Sequence, residues 1–174
     1  MLLRKSTYGT CRLALEEGKK KFTFKAETRL KKMTIAVFID ADNLSKPHWI
    51  DQAFEILKSE KQPVTVRRAY GDMNSLNVLR LALSKHDIDQ FPNRQLGKNT
   101  TDTALVVGVM AFAYSTAKDD LKTVVIGSGD ADFAPLAFHL QSLGIKVICL
   151  TIARKATVRI KNIYDQVIFL KDEP

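Results

Sequence analysis

The sequence predicts one α/β domain with a mostly parallel sheet that is flanked by helices on both faces. From residue 34 onward, short apolar runs alternate with segments of helical periodicity, which is the pattern of βαβ units. The short runs are almost continuously apolar, as expected for parallel strands that are covered on both faces. The length of 174 residues fits a single domain with its own hydrophobic core.

Six strands and four helices are predicted in alternation. The strands are expected at Thr34–Ile39, Val64–Tyr70, Ile88–Phe91, Thr123–Ile126, Ile145–Leu150 and Val167–Leu170. The helices are expected at Trp49–Glu60, Leu76–Ser84, Asp102–Thr116 and Phe133–Leu143. Gly144 is the predicted C-terminal stop of the last helix, and a poorly patterned helical stretch follows near residues 154–163.

The first 33 residues carry most of the positive charge of the chain. The formal net charge is +8, and residues 1–33 contribute +7 of it through ten Lys or Arg and three Glu. This segment shows no sustained period, and Met33 is followed at once by the first predicted strand. We therefore expect a domain over residues 34–174, preceded by an extension that is a flexible basic arm or lies upstream of the true start at Met33. A mitochondrial transit peptide is a third interpretation, which the excess of Lys and the acidic residues disfavour.

Cysteine usage and apolar content argue against secretion and membrane insertion. The two cysteines, Cys11 and Cys149, form no CxxC pair, so neither a disulfide framework nor a structural zinc site is expected. Cys149 falls in an apolar run and is predicted to be a buried strand residue. No apolar run reaches the roughly 18–20 residues of a membrane span. The expected location is a reducing compartment, namely the cytoplasm.

Two Asp-x-Asp pairs directly follow predicted strands. Asp40 and Asp42 come after the first strand, and Asp130 and Asp132 come after the fourth. In a doubly wound sheet of the usual topology these two strands are neighbours at the switch point, where ligands bind beyond the carboxyl ends. We therefore expect residues about ninety positions apart in the sequence to meet in one cleft.

Asp102 opens the third predicted helix, so its side chain can reach the same edge of the sheet. Converging carboxylates repel one another unless a cation neutralises them, and an all-oxygen set suits Mg²⁺ or Mn²⁺. Each Asp also has a structural explanation: Asp42 could cap a helix or form an Asx turn, and Asp102 suits a helix N-terminus. Asp130 or Asp132 could cap the helix that starts near Phe133. Two pairs in equivalent positions favour a metal site over capping alone.

Four segments taken together resemble the NYN domain family, a branch of the PIN-like nucleases. They are Phe38–Asn43, Arg68–Asp72, Gly97–Leu105 and Ser128–Phe133, and their order and spacing fit from about residue 34 to 170. The resemblance implies a PIN-like α/β fold, Mg²⁺ or Mn²⁺ as cofactor, and hydrolysis of phosphodiester bonds, usually in RNA. It gives the catalytic and metal-binding roles to Asp40, Asp102, Asp130 and Asp132. On this basis we expect a metal-dependent endoribonuclease.

The resemblance also implies residues that would contact the substrate. It makes Asn43 and Ser128 supporting polar residues in the cleft, and it places Lys98 to meet a phosphate. Arg68 and Arg94 are further candidates for contacts with RNA phosphates. RNA is thus the expected partner, no membrane is expected, and a homodimer would be unsurprising.

One departure from the family pattern bears on activity. Many relatives carry an acid where Gly108 stands, and some carry one at Ala111. If those acids help to hold metal, this chain is a reduced enzyme, and a non-catalytic RNA-binding or regulatory module is an alternative. Gly108 also costs roughly 1 kcal/mol relative to Ala inside a helix, and the sequence offers no reason for it.

A second alternative is a phosphatase of the haloacid-dehalogenase type. The tripeptide Asp40-Ala41-Asp42 after an apolar strand resembles its nucleophile motif, in which the first Asp attacks phosphorus. Against this interpretation, Leu44 stands about where that motif expects Thr. The acidic residues around Asp130 also lack the usual spacing.

Overall fold

The sheet has six parallel strands, as the alternating pattern predicts. The computed structural model describes residues 34–60, 62–93, 99–115, 121–155 and 158–172, so the basic extension over residues 1–33 lies outside the described residues. The strands are β1 (Thr34–Asp40), β2 (Val64–Gly71), β3 (Asp89–Pro92), β4 (Leu121–Gly127), β5 (Lys146–Ile152) and β6 (Gln166–Leu170). Their order is β3-β2-β1-β4-β5-β6, and every neighbouring pair is parallel. The chain reverses its winding between β1 and β4, which confirms the predicted switch point.

Four α-helices connect the strands: α1 (Pro47–Lys58), α2 (Met73–Lys85), α3 (Thr100–Ser115) and α4 (Ala134–Ser142). α2 begins three residues before the predicted start because the carboxylate of Asp72 caps it, accepting a hydrogen bond from the Ser75 amide at 2.7 Å. Gly144 has a φ of +77° just after α4, the left-handed conformation that ends many helices, which confirms the predicted stop.

The poorly patterned helical stretch predicted near residues 154–163 corresponds to two short 3₁₀ helices, Ala153–Lys155 and Val158–Asn162. Ile160 and Ile163 are buried three residues apart, a spacing that fits both a 3₁₀ helix and an α-helix, so it does not predict the helix type.

The core has one layer on each face of the sheet, because the side chains of β1 alternate between the two faces. Ile35, Val37 and Ile39 pack with α1 and α2, whereas Ala36 and Phe38 pack with α3 and α4. This arrangement confirms the predicted sheet with helices on both faces. None of the helices in the described ranges is long and apolar enough to cross a membrane.

Candidate active site

The carboxyl ends of β1 and β4 lie side by side and carry the two Asp-x-Asp pairs. Ile39 pairs with Gly127 in the parallel register, so Asp40 and Ser128 come next on neighbouring strands. Asp40 is only 3% exposed although it is acidic. We call the group formed by Asp40, Asp102, Asp130 and Asp132 the acidic edge.

Asp40 is held by three hydrogen-bond donors. Its Oδ1 accepts from the backbone amides of Asp42 and Asn43, each at 3.1 Å. Its Oδ2 accepts from the hydroxyl of Ser128 at 2.9 Å. These bonds fix the orientation of the Asp40 carboxylate across the gap between β1 and the loop after β4.

The loop after β4 is tied back to β1 by further hydrogen bonds. The Asp130 amide donates to the Ser128 hydroxyl at 3.3 Å, and the Gly129 amide donates to the side-chain oxygen of Asn43 at 3.2 Å. Asp130 also caps the 3₁₀ helix Ala131–Phe133, where its Oδ1 accepts from the Asp132 amide at 2.9 Å. Asp130 thus caps this 3₁₀ helix and not α4, whose N-cap is Phe133 and has no side-chain cap. Its second carboxylate oxygen, Oδ2, takes no part in the cap.

Burial sets the protonation behaviour of Asp40. Loss of solvent raises the pKa of this carboxyl to about 6, while the hydrogen bonds from Ser128 and Asn43 oppose the rise. The negative charges of Asp102 and Asp42 add to the increase in pKa. A buried carboxylate with a raised pKa at a strand end is typical of functional sites.

Asp102 lies in the first turn of α3 and joins the same electrostatic group. Its pKa is raised first by burial and then by the charges of Asp130, Asp132 and Asp42. Carboxylates from β1, from α3 and from the loop after β4 thus influence one another, as the strand-end positions predict.

Asp42 has a structural role that the sequence does not reveal. Its Oδ2 accepts from the Thr101 hydroxyl at 2.6 Å, and its Oδ1 accepts from the Asp72 amide at 3.1 Å. The Asn93 side chain donates to the same Thr101 oxygen at 3.3 Å. Asp42 therefore joins the loops after β1 and β2 to the start of α3 and so positions Asp102. The sequence does not identify Thr101 as a hydrogen-bonding residue of the site, and the only signal for it is its position next to Asp102 at the start of α3.

The cysteine beneath the acidic edge is structural. Cys149 is buried on β5, as predicted, and its thiol donates to the Ser128 carbonyl at 3.2 Å. Burial raises the pKa of this thiol to about 12, so it is a neutral thiol at physiological pH and no candidate nucleophile. Tyr164, buried nearby, also has a raised pKa, caused first by burial and then by the charges of Cys149 and Asp130.

A family model for the NYN domain matches residues 34–171. The chain belongs to the NYN domain family. This is a family of PIN-like nucleases, so the expected family is confirmed over most of the chain.

The chain also shares its fold with a solved structure. A protein of unknown function from Vibrio parahaemolyticus superposes with a TM-score of 0.63 at 16% sequence identity, over 83% of this chain and 97% of that one. At that identity the likeness shows the fold alone. No curated protein matches the chain.

The glycine that departs from the NYN pattern has a packing reason. A Cβ at Gly108 would lie 2.7 Å from Cζ of Tyr70 and closer still to its hydroxyl. Tyr70 is only 4% exposed, and its ring fills the space beside α3 that a side chain at this position would need. An acid at position 108 is therefore incompatible with the present position of Tyr70.

The basic residues expected to meet substrate are only partly described. Lys98 and Arg94 lie outside the described residues. Arg68 lies on β2, where its guanidinium is 5.3 Å from the ring centre of Phe91 and 5.9 Å from that of Phe112. Arg68 is thus on the same face of the sheet as α3 and is held against aromatic rings.

The donor chemistry of the acidic edge fits a hard divalent cation, because all its side-chain donors are carboxylate oxygens. NYN nucleases typically use divalent metals. Within the described ranges, no group of three or more His, Cys, Asp or Glu side chains is arranged closely enough to hold a metal ion. Burial is the largest cause of the raised pKa values of Asp40 and Asp102, and nearby carboxylates add to it, so a bound cation would relieve that repulsive part.

Proposed function

We propose that this NYN domain is a metal-dependent ribonuclease that hydrolyses RNA phosphodiester bonds at the acidic edge. The observation that carries the proposal is the convergence of carboxylates from β1, from α3 and from the loop after β4 at the switch point of the sheet, where Ser128 joins the Asp40 carboxylate to the Asp130 amide. Membership of a PIN-like nuclease family supports phosphodiester hydrolysis as the reaction and RNA as the substrate class.

Asp40 and Asp130 are the residues we expect to hold Mg²⁺ or Mn²⁺ most directly. Both side chains are fixed by backbone amides or by Ser128, so their oxygens are oriented before a cation arrives. Asp102 and Asp132 would complete the negative field around the ion. When bound, the cation would lower the pKa of a water molecule and offset the charge of the phosphodiester.

Ser128 and Asn43 act as positioning residues in this proposal. Ser128 joins the Asp40 carboxylate to the Asp130 amide, and Asn43 joins the two strand-end loops through Gly129. The two strand-end carboxylates are thereby coupled through buried polar contacts, which favours a fixed spacing between them.

A non-catalytic RNA-binding module is the second candidate function. One reason is that the Tyr70 ring occupies the space of the acid that many relatives carry at the position of Gly108. A second reason is that the carboxylates among the described residues are not close enough together to form a metal-binding group of three. Such a module would bind RNA equally well with and without divalent metal.

The phosphatase alternative is less well supported. It needs Asp42 as a proton donor beside Asp40, but both oxygens of Asp42 accept hydrogen bonds, from Thr101 and from the Asp72 amide. Asp42 therefore serves the loop geometry instead of facing a leaving group.

Replacing Asp130 with Asn should reduce Mn²⁺-dependent cleavage of RNA by more than about 100-fold, because a metal ligand loses its charge. The fold should persist, since Asn caps a helix as well as Asp does and retains Oδ1 for the Asp132 amide. Cleavage of a labelled single-stranded RNA at fixed Mn²⁺ measures the effect.

The matched control is Asp87→Asn, the same change at an exposed residue beyond the opposite ends of the strands. It should leave the cleavage rate unchanged. Folded wild-type protein that cuts no RNA with any divalent metal would contradict the nuclease proposal, and normal RNA binding in EDTA by that protein would favour the non-catalytic module.

A further inference from the structure

Three residues from neighbouring strands form a row across the sheet next to the acidic edge. Asp40 on β1 pairs with Tyr70 on β2, and Tyr70 pairs with Phe91 on β3. Paired residues of parallel strands point to the same face, so all three side chains lie on the face that α3 covers. β3 is the edge strand of the sheet, and Phe91 therefore stands at the outer end of this row.

Phe91 is an exposed aromatic ring on a rigid support. It is 37% exposed, and its ring stacks on that of buried Tyr70 with centres 5.0 Å apart and planes 19° apart. Tyr70 is itself wedged against Gly108 of α3. The orientation of Phe91 is thus set by the core, and part of its surface is left for another flat group.

A cation lies beside this ring. The guanidinium of Arg68 is 5.3 Å from the centre of Phe91 and 5.9 Å from that of Phe112. The Nε of Arg68 is buried and has no hydrogen-bond partner among the described residues, so ring contacts hold this group. Phe91 and Arg68 therefore place an aromatic surface and a positive charge side by side at the β3 edge of the sheet.

The strand that carries Phe91 is tied to the start of α3 and to the loop that follows Asp40. The Asn93 amide donates to the Gly71 carbonyl at 2.9 Å, and the Asn93 side chain donates to Thr101, which donates to Asp42. Two strand spacings, roughly 10 Å, separate the backbone at Phe91 from that at Asp40. That separation suits a nucleotide close to the phosphate that faces Asp40.

We propose that Phe91 and Arg68 form a stacking subsite for an unpaired base of the RNA substrate, next to the phosphodiester held at the acidic edge. The proposal rests on the ribonuclease function proposed above and narrows its substrate class to single-stranded RNA. Every base offers a π-face, so stacking on Phe91 selects unpaired nucleotides rather than a sequence. Arg68 stabilises the stack and offsets phosphate charge.

Binding of a single-stranded oligonucleotide by the full chain in EDTA tests the subsite without cleavage. Phe91→Ala should weaken binding by roughly 5- to 100-fold, the range found for loss of one base–aromatic stack, and Phe91→Trp should retain it. An oligonucleotide of abasic residues should bind wild type and Phe91→Ala equally. Phe91→Leu keeps an apolar contact with Tyr70 but loses the ring, so it should weaken binding within the same range. This variant provides the test if Phe91→Ala does not fold.

Phe169→Ala is the matched control. Phe169 is 41% exposed on β6, the opposite edge strand, and Lys161 lies 5.8 Å from its ring centre, so it is also an exposed ring beside a cation. Its loss should not change RNA affinity. If Phe91→Leu binds RNA as wild type does while wild type cleaves RNA, the stacking subsite is wrong and the ribonuclease function stands. If folded wild type neither binds nor cleaves RNA, the ribonuclease function fails and the subsite fails with it.

Discussion

Replacing Asp40 with Asn is expected to stabilise the metal-free protein by about 2–3 kcal/mol at pH 7.5 and to abolish its response to Mn²⁺. At this pH the buried carboxyl is ionised although its pKa is raised to about 6 by burial. Asn keeps the two backbone hydrogen bonds, because its oxygen can accept from the amides of Asp42 and Asn43. Its amide reverses the bond with Ser128, whose hydroxyl donates to Asp40 and would accept from Asn. The substitution therefore removes the charge and reverses one hydrogen bond.

The raised pKa of Asp40 determines how the free energy of unfolding changes with pH. The folded-state pKa of Asp40 lies above the ordinary value of 3.8, so the folded protein binds a proton more tightly than the unfolded chain. The free energy of unfolding should therefore fall as the pH rises from about 4 through about 6 and stay lower above that range. For the same reason, Mn²⁺ binding should weaken as the pH drops below about 6.

Urea unfolding of wild type and Asp40→Asn in EDTA at pH 4 and pH 7.5 measures the effect. The stability gain should be present at pH 7.5 and largely absent at pH 4, where wild-type Asp40 is itself neutral. Adding Mn²⁺ at pH 7.5 should stabilise the wild type only. Asp87→Asn, at a side chain that is 88% exposed, should change stability little at either pH. If Asp40→Asn is less stable than the wild type at pH 7.5, burial of the ionised Asp40 carboxylate does not destabilise the fold and this prediction is wrong.

Replacing Gly108 with Ala is expected to destabilise the protein by about 3 kcal/mol, at the upper end for overpacking. Helix propensity alone predicts the opposite sign, a gain of roughly 1 kcal/mol. The reversal arises because the added Cβ meets the buried ring of Tyr70, which would have to be displaced from its stack on Phe91. Gly108→Asp should be worse, since it adds a charge at the same contact.

A double-mutant cycle with Tyr70→Ala isolates this contact. In that background Gly108→Ala should become neutral or stabilising, so the two substitutions should couple by about 3 kcal/mol or more in thermal or urea unfolding. Val107→Ala is the control, because Val107 is exposed on the same helix and should change stability by less than about 0.5 kcal/mol. Destabilisation by Gly108→Ala that persists without the Tyr70 ring would contradict the packing account.

The sequence predicts the framework of the fold because strands and helices here follow local patterns. Apolar or β-branched runs mark the strands other than the exposed edge strand β3, and the strand order places the ends of β1 and β4 together as predicted. The start of α2 was missed because Asp72 caps a turn that precedes the apolar period. The stretch near residues 154–163 was predicted as helical without a helix type, because two buried Ile residues three apart fit a 3₁₀ helix as well as an α-helix.

The sequence predicts the site residues that lie at strand ends. It does not predict the contacts between residues that are distant in sequence. Asp40, Ser128 and Asp130 follow strands and lie together, with Asp102 near them. The contact between Gly108 and Tyr70, and the bridge from Asp42 to Thr101, join residues distant in sequence, so no local pattern reveals them. Neither would have been found without the positions of the helices on the sheet.

The central claim is that the acidic edge holds a divalent cation, and anomalous diffraction from a crystal soaked in Mn²⁺ tests it most directly. The account predicts a manganese peak within coordination distance of carboxylate oxygens of Asp40 and Asp130. The same soak of Asp130→Asn should show a weaker peak or none. A gap between the two carboxylates that stays free of manganese at saturating concentration would contradict the proposed metal-dependent mechanism.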